Sequence, residues 1–418
     1  MSRPLDSNEV IDRRLWPDIA AVPDRPMRAL VARRLVRRAV KTLPLRVTTA
    51  DGRQLGAGGP GDPLLHLVHP DAFYQRVGAG GLIGFGEAFM AGDWIADDVV
   101  GVLTVLARRL EKLVPPVLQR FRGLAVHTRP GADRNTVDGA RSNIHRHYDL
   151  SNELFSLFLD PTMTYSSALF DAGRPYDGQD LAEAQQRKVD RLLDIAGVGA
   201  GSRMVEIGTG WGELAIRAAA RGAHVTTTTI SHEQARLARE RIAAAGYADR
   251  IDVREQDYRD ITGEFDALVS VEMVEAVGSD YWPEYFGTIE RLLAPGGRAA
   301  LQAITMPHDR MLASAHTYTW ILKYIFPGGQ IPSMTAVAEH SQRAGLQASS
   351  RFAFGADYAE TLRRWRTSFE EYADEVDRLG FDSTFRKMWS LYLAYSEAGF
   401  RSGYLDVVAF ELTKPGPS

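Results

Sequence analysis

Three glycines at alternate positions form the strongest chemical signal in the sequence. They are Gly208, Gly210 and Gly212, in the segment VEIGTGWGEL (Val205–Leu214), and Glu206 lies two residues before the first of them. Glycines between a strand and a helix let a ligand approach the backbone closely. A dinucleotide fingerprint places its third glycine one residue later. Because a carboxylate precedes the loop, the segment suits a cationic or amine-bearing ligand better than a pyrophosphate.

Short strands and amphipathic helices alternate around this segment. Strands are predicted at Arg203–Ile207, His224–Ile230, Ile251–Arg254, Phe265–Val271 and Arg298–Ile304, with helices at Glu213–Arg221 and Glu233–Ala245. This alternation predicts an α/β fold with a doubly wound, mostly parallel sheet, in which ligands bind beyond the carboxyl ends of the strands. In that context the glycine segment resembles the first motif of class I methyltransferases that use S-adenosylmethionine. A nucleotide-dependent oxidoreductase is the alternative.

The first 125 residues show a different pattern. A helical start precedes the strand-like stretch Leu45–Arg53, and helix-like runs follow at GEAFMAGDW (Gly86–Trp94) and Val99–Leu113. Residues 126–140 are polar and contain Gly and Pro, as linkers do. We therefore expect a smaller N-terminal α+β domain over residues 1–125, a linker over 126–140 and a methyltransferase domain with helical insertions over 141–418.

The segment from Met27 to Val47 contains seven basic residues and no acidic one. At helical spacing, Val31, Leu35, Ala39 and Leu43 form one apolar stripe with arginines beside it. Such a helix suits an anionic lipid surface, where each Lys or Arg adds about 1 kcal/mol. The alternative is a solvated face packed on its own domain. Nucleic-acid binding is not expected, because no aromatic or Gly-rich recognition pattern accompanies the arginines.

Composition excludes several classes of protein. The chain has 418 residues, a net charge of −4 and no cysteine, which excludes disulfide frameworks, thiolate metal sites and a cysteine nucleophile. No run of ~20 apolar residues suggests a membrane span, and the N-terminus lacks an apolar signal core. We expect a cytoplasmic protein. His145 and His147 flank Arg146 without a third ligand nearby, so no metal site is expected.

Several strings occur in the order that one family shows. They are HYDLSNELFSLFLDPTMTYSSALF (His147–Phe170), VEIGTGWGELA (Val205–Ala215), TISHEQ (Thr229–Gln234), SVEMVEAVG (Ser270–Gly278), LQAIT (Leu301–Thr305), FPGGQIPS (Phe326–Ser333), DYAETLRRW (Asp357–Trp365) and YSEAGFRSG (Tyr395–Gly403). Together they resemble the cyclopropane fatty acyl phospholipid synthase family, which includes mycolic acid and methylene-fatty-acid enzymes. The resemblance covers most of residues 140–415. More loosely, GEAFMAGDW resembles that family's lipid-binding domain.

The resemblance implies a reaction and its partners. A methyl group passes from S-adenosylmethionine to the double bond of an unsaturated phospholipid acyl chain at the inner membrane face, and bound bicarbonate deprotonates the resulting carbocation. The product is a cyclopropane or a methylene group, and a methylene product implies a flavin-dependent reductase as partner. A homodimer is also expected, because family members are often dimers. The alternatives are a small-molecule methyltransferase and a non-catalytic lipid-binding protein.

Five residues match the anion site of that family. Glu275 matches the glutamate that holds bicarbonate, Tyr358 matches the tyrosine that completes the site, and Ile304 matches a position that contributes its backbone. Gln302 stands where many members have histidine, and Ser167 stands where they have cysteine. A glutamine amide can still donate to an oxyanion, and a backbone N–H at Ser167 needs no thiol.

The resemblance also assigns residues to the cofactor. The candidates are Tyr165 and Ser166 at the methionine end, Glu206, Gly208 and Gly210 along the loop, Thr229, Ile230 and Gln234 at the ribose, and Asp257 and Tyr258 at the adenine. The second predicted strand lacks the acid that usually binds the ribose, so Thr229 or Gln234 is expected to replace it. Two alternatives remain: Tyr165 as a core side chain, and Glu272 as the anion ligand in place of Glu275.

Overall fold

The computed structural model describes residues 11–109, 151–315 and 317–416. The chain divides into two compact units. The first comprises Met1–Arg129, Thr317–Ile325 and Leu362–Tyr404, and the second comprises Pro130–His316, Phe326–Thr361 and Leu405–Ser418. The predicted linker at 126–140 lies outside the described residues. The division differs from the sequence-based one in that two later segments group with the N-terminal unit.

The N-terminal part of the first unit is α+β. Its three-stranded sheet has β1 (Arg46–Thr49) parallel to β2 (Leu64–Leu67), which is antiparallel to β3 (Trp94–Ala96). Its helices are α1 (Pro17–Ala20), α2 (Pro26–Val40), α3 (Pro70–Gly80), α4 (Leu82–Met90) and α5 (Val99–Arg108). The first three begin with proline, whose missing N–H is not needed in a first helical turn. The strand predicted within Leu45–Arg53 is present as β1, which is shorter.

The second unit contains a seven-stranded sheet. Its strands are β4 (Arg203–Ile207), β5 (His224–Thr229), β6 (Ile251–Glu255), β7 (Phe265–Val271), β8 (Leu293–Thr305), β9 (Gln347–Ala353) and β10 (Asp406–Thr413), in the order β6-β5-β4-β7-β8-β10-β9. The five strands from β4 to β8 are parallel, whereas β10 is antiparallel to both β8 and β9. All five predicted strands are present. The two C-terminal strands were not predicted.

Helices connect these strands. They are α6 (Asn152–Phe158), α7 (Leu181–Ile195), α8 (Glu213–Ala220), α9 (His232–Ala244), α10 (Val274–Val277), α11 (Trp282–Leu292), α12 (His308–Ser314), α14 (Met334–Arg343) and α15 (Gly355–Glu371). Side-chain caps fix where two of them begin. Asp180 accepts the N–H of Glu183 at the start of α7, and Ser231 accepts the N–H of Gln234 at the start of α9. The sequence-predicted bounds of α8 and α9 are correct to within one residue.

The core of the second unit lies between the sheet and α11. Leu268, Tyr285, Ile289 and Leu301 are almost completely buried there. Removing apolar surface from water contributes roughly 25 cal/mol per Å², so this packing holds the parallel strands rigidly. The loops that follow β4, β5, β7 and β8 therefore leave the sheet at fixed positions along one edge.

Three helices of the later segments lie wholly in the first unit, which also contains the part of α15 from Leu362 onward. They are α13 (Trp320–Tyr324), α16 (Ala373–Arg378) and α17 (Ser383–Arg401). Helix α17 packs against α5. Within α17, the ring of Trp389 stacks on that of Phe385. Burial of large apolar side chains stabilises the packing of α17 against α5, so this segment belongs to the first unit. Among the residues the structure describes, no helix combines the length and hydropathy needed to cross a bilayer.

Candidate active site

The five predicted anion-site residues come from four parts of the second unit. Gln302 and Ile304 lie near the carboxyl end of β8, and Glu275 lies in α10, shortly after the neighbouring strand β7. Ser167 lies in the loop before α7, and Tyr358 lies in the first turn of α15. Because β7 and β8 are parallel neighbours, the residues that follow them meet at one edge of the sheet.

Ser167, Gln302 and Tyr358 converge on Glu272. The Ser167 backbone N–H donates to Oε1 of Glu272 over 3.1 Å, and Nε2 of Gln302 donates to the same oxygen over 2.7 Å. The Tyr358 hydroxyl donates to Oε2 over 2.6 Å. In addition, the Glu272 N–H donates to the carbonyl of Gln302 over 2.8 Å. The alternative anion ligand of the sequence analysis is thus the residue at which these groups meet.

The backbone of Glu272 is strained. Its φ is +52°, a left-handed conformation that non-glycine residues rarely adopt. Such a conformation costs on the order of 1–3 kcal/mol and persists only where the surroundings hold it. Two hydrogen bonds join Glu272 to Gln302 here: the Gln302 amide donates to the carboxylate, and the Glu272 N–H donates to the Gln302 carbonyl. The strain therefore accompanies an orientation that aims the carboxylate at its three donors.

Glu275 has a different environment. Its Oε1 accepts the backbone N–H of Ile304, whereas its buried Oε2 has no hydrogen-bond partner among the described residues. Burial, and then the negative charge of Glu272, raise the pKa of the Glu275 carboxyl to about 8. The structure thus joins Glu275 directly to the Ile304 N–H, and it places the Tyr358 hydroxyl on Glu272.

Lys188 is a buried cation that the sequence analysis missed. It lies in α7, is only 1% exposed, and its Nζ donates to the Ser166 hydroxyl over 2.7 Å. Burial lowers the pKa of the Lys188 ammonium to about 8. The negative charges of nearby carboxylates act in the opposite direction and raise it, and Glu272 contributes most. A signal was present in the sequence, because Lys188 falls between Ala184 and Leu192 on the apolar face of the helix.

Glu206, near the end of β4, is a buried carboxylate. The Thr227 hydroxyl donates to its Oε2 over 2.6 Å. Burial raises the pKa of Glu206 to about 8, although the Thr227 hydrogen bond and the charge of Lys188 lower it. A buried acid of this kind becomes an anion most readily when a cation binds beside it. It therefore fits a positively charged cofactor.

The glycine loop that follows β4 requires its glycines. Gly208 has φ +99° and Gly210 has φ +51°, in the region that favours glycine. A Cβ on Gly208 would come within 2.9 Å of the Met273 sulfur. The loop therefore gives a ligand access to the backbone, as the sequence predicts for S-adenosylmethionine, and the buried acid beside it suits the positive charge of that cofactor.

The predicted ribose residues lie together at the end of β5. The Thr229 hydroxyl donates to Oε1 of Gln234 over 2.9 Å and accepts the N–H of Ser231 over 3.1 Å. Ile230 lies between them and is half-buried. The pair therefore presents one hydroxyl and one amide where most members of this fold carry an acid.

The predicted adenine residues are already engaged. Asp257 is buried, and its two oxygens accept from Nε and Nη2 of Arg259 over 2.8 and 2.7 Å. Tyr258 packs edge to face on Tyr285, with 5.6 Å between ring centroids. An adenine bound here would share Asp257 with the arginine.

At the predicted methionine end, the two residues have structural partners. Tyr165 is half-buried and packs edge to face on Phe155, with 5.1 Å between ring centroids. The Ser166 hydroxyl accepts the bond from Lys188. Tyr165 thus contributes to packing, in line with the alternative considered for it. Ser166 links the loop to the buried lysine.

Metal ligands were not expected from the sequence. His145 and His147 lie outside the described residues. Within residues 11–109, 151–315 and 317–416, no group of three or more His, Asp or Glu side chains is arranged to hold a metal ion.

The sequence is similar to those of known proteins. A model of the mycolic acid cyclopropane synthetase family matches residues 136–410. The chain is 52% identical over 414 residues to the tuberculostearic acid methyltransferase UfaA1 of Mycobacterium tuberculosis, and the match covers 97% of each chain. It is 32% identical over 356 residues to the cyclopropane-fatty-acyl-phospholipid synthase of Escherichia coli K12, covering 84% of this chain and 87% of that enzyme.

Solved structures show the same relationship. The mycolic acid cyclopropane synthase CmaA1, complexed with SAH and CTAB, matches with a TM-score of 0.58 and 29% identity over 66% of this chain and 98% of that one. The family model covers more than half of the sequence, and the strand order is that of class I methyltransferases. The chain therefore belongs to the mycolic acid cyclopropane synthetase family and has the class I S-adenosylmethionine-dependent methyltransferase fold.

Proposed function

We propose that this protein transfers a methyl group from S-adenosylmethionine to the double bond of unsaturated acyl chains in phospholipids. The observation that carries the proposal is the convergence of Ser167, Gln302 and Tyr358 on the half-buried carboxylate of Glu272 near the glycine loop. The 52% identity to a tuberculostearic acid methyltransferase, over nearly the whole chain, supports the acyl substrate.

The chemistry requires a dry, negative site. S-adenosylmethionine supplies an electrophilic methyl group on a sulfonium. An alkene is a weak nucleophile, and its attack leaves a carbocation that water would capture. Glu272 and Glu275 are both half-buried, and the Glu272 carboxylate accepts hydrogen bonds from Ser167, Gln302 and Tyr358. Fixed negative charge in a water-excluding site stabilises a cation far better than it would in water.

The product follows from how the cation loses its proton. Loss from the new methyl group with ring closure gives a cyclopropane, whereas a preceding hydride shift leads to an exocyclic methylene. We favour the methylene product, because the relative at 52% identity is named a methyltransferase and the cyclopropane synthase is 32% identical. A flavin-dependent reductase would then be the partner that yields the methyl-branched chain. The cyclopropane is the alternative.

Helix α2 supports docking on an anionic phospholipid surface. Met27, Leu30, Val31 and Leu35 are exposed along one face, and Arg34 and Arg38 follow the same helical spacing. The helix is held instead through its buried Ala32 and Val40. An exposed apolar stripe flanked by arginines suits a lipid surface in two ways. The apolar side chains can be buried among the acyl chains, and the arginines attract anionic headgroups. The stripe predicted from sequence is thus exposed at Val31 and Leu35, whereas Leu43 is buried.

Bicarbonate, which the resemblance implies as a second cofactor, does not fit the donors as they stand. Ser167, Gln302 and Tyr358 are already bonded to Glu272. They would have to release that carboxylate before they could hold a second planar anion. No step of the proposed reaction is therefore assigned to bicarbonate.

Lipid mass spectrometry tests the proposed function. We expect monounsaturated phospholipid chains of an expressing host to gain one CH₂ unit, and fragmentation to locate it. The matched control is Gly208→Val, which places a side chain against Met273 and blocks the cofactor loop. Unchanged lipids at full expression of the unaltered protein would refute the proposal.

A further inference from the structure

In each hydrogen bond that the Glu272 carboxylate makes with the described residues, the carboxylate is the acceptor. Oε1 accepts from Ser167 and from the Gln302 amide, and Oε2 accepts from Tyr358. A protonated acid would need an acceptor for its own hydrogen, whereas an ionised carboxylate has about four lone-pair positions and no hydrogen. The three donors therefore favour the ionised form, and they leave one lone pair on Oε2.

These donors are the groups that the family resemblance assigns to a bound anion. A carboxylate and a bicarbonate ion present the same planar pair of charged oxygens. In this chain the pair is supplied by a side chain that comes directly after β7, carried there by a backbone φ of +52°. We infer that the carboxylate of Glu272 is the proton acceptor of this enzyme, in place of a bound bicarbonate. The inference rests on the proposed function.

The step balances without another reactant. The proton of the new methyl group moves to Oε2 of Glu272, and the electron pair of the broken C–H bond forms the carbon–carbon bond of the ring or of the methylene. The positive charge of the substrate disappears as Glu272 becomes neutral. After product release the acid returns its proton to water.

The environment of Glu272 supports this role. Burial raises the pKa of the Glu272 carboxyl, while the bonds from Tyr358 and Ser167 and the charge of Lys188 lower it. A base whose pKa lies above that of an exposed carboxylate accepts a proton more readily, provided it stays ionised. Lys188 helps to keep it ionised.

The strained backbone supplies a diagnostic variant. Glycine adopts a φ of +52° without the strain that a side chain brings, so Glu272→Gly is compatible with the fold. It also removes the carboxylate and frees the donors of Ser167, Gln302 and Tyr358. Free bicarbonate should then occupy the vacated position. Glu272→Gln instead fills the position with a group that cannot take the proton.

The test measures both binding and turnover. Titration of [¹³C]bicarbonate into the full-length protein, followed by NMR line broadening, reports anion binding without any lipid substrate. Methylation of monounsaturated phosphatidylglycerol vesicles is then measured in CO₂-depleted buffer and after adding bicarbonate. Cofactor binding by calorimetry checks that each variant is folded, and Glu264→Gln, at an exposed carboxylate, serves as the matched control.

We expect no saturable bicarbonate binding to the unaltered protein, and turnover that changes less than about twofold on adding bicarbonate. Glu272→Gln should lose about 10²-fold or more of the turnover, the usual contribution of a general base. Glu272→Gly should bind bicarbonate and regain about tenfold or more of its turnover with it.

Saturable bicarbonate binding by the unaltered protein, a strict need for bicarbonate, or full turnover by a folded Glu272→Gln variant would overturn the inference. If a variant does not fold, the two measurements on the unaltered protein decide alone. If the unaltered protein methylates no lipid under any condition, the proposed function fails, and the binding titration still shows whether Glu272 excludes the ion.

Discussion

Each unit of the molecule buries a cation among acids, but the two clusters differ in how completely they are bonded. In the first unit, Arg76 donates to Asp93 through Nε over 2.9 Å and to the main-chain carbonyls of Asp18, Ile19 and Ala21 through both terminal nitrogens. Its fork geometry uses nearly all of its donors. The cluster therefore ties α1 to α3 and to the residue before β3, and few of its donors remain for another ligand.

In the second unit, Lys188 makes one hydrogen bond within the described part of the chain, to Ser166, although an ammonium has three donors. The carboxylates of Glu272 and Glu206 lie near it, and their charges favour its protonated form. Oε2 of Glu275 has no hydrogen-bond partner among the described residues. Incomplete pairing in a buried charged cluster leaves room for a charged reactant, so we interpret the second cluster as functional and the first as structural.

The largest expected effect breaks the structural cluster. Arg76→Met leaves Asp93 buried without its cation, and removing one partner of a buried pair costs about 3–5 kcal/mol. Urea unfolding should show this loss. The double variant Arg76→Met, Asp93→Asn should recover part of it, and equal stability of the Arg76→Met variant and the unaltered protein would contradict the structural interpretation.

Breaking the functional cluster should instead change the pH dependence of turnover. The positive charge of Lys188 lowers the pKa values of Glu272 and Glu206, so Lys188→Met should raise them further. At a given pH fewer of these acids are ionised, and the rising limb of the pH–rate profile should move to higher pH. A profile that keeps its position, with only a lower maximum, would indicate a purely structural lysine.

A third effect concerns the cofactor. The pKa of Glu206 is raised to about 8, so its anion becomes abundant only as the pH rises through that value. Affinity for the cationic S-adenosylmethionine should therefore increase between about pH 6.5 and 8.5, more than affinity for neutral S-adenosylhomocysteine does. Calorimetry on Glu206→Gln, in which no acid remains to ionise, should show a smaller increase. An identical pH dependence in both proteins would refute the role of Glu206.

The smallest effect sharpens the account of the first unit's surface. Arg34→Gln on α2 should weaken binding to anionic phospholipid vesicles by about 1 kcal/mol, roughly fivefold, and the difference should shrink in high salt. Arg378→Gln removes the same charge from another exposed position of that unit and serves as the control. Equal vesicle binding by both variants would locate the lipid-binding surface elsewhere.

The sequence predicts the parts of the molecule that depend on local pattern. Gly208 and Gly210, the alternating strands β4 to β8 and the starts of α8 and α9 all follow from glycine placement, periodicity and capping. Strand β10 is a continuous buried run, which periodicity alone does not separate from a helix. The assignment of α17 to the first unit depends on tertiary packing and has no local signal.

The site shows the same limit at the level of single residues. Glu272 and Glu275 lie three residues apart in one motif, and residue type alone does not decide which of them faces Tyr358. The left-handed backbone of Glu272 decides it, and that conformation occurs together with two hydrogen bonds between Glu272 and Gln302, which lies on the neighbouring strand. Lys188 was detectable as a charge on an apolar helix face, but its carboxylate neighbours come from distant strands.

The central claim is that the methyl group is transferred to the alkene and then loses a proton, and an isotope measurement tests it most directly. The protein would be supplied with S-adenosylmethionine carrying a fully deuterated methyl group, together with vesicles of a monounsaturated phospholipid. Methyl transfer followed by proton removal from that same methyl group predicts an acyl chain that carries two deuterium atoms. A chain that keeps all three deuterium atoms, or that gains none, would contradict the account.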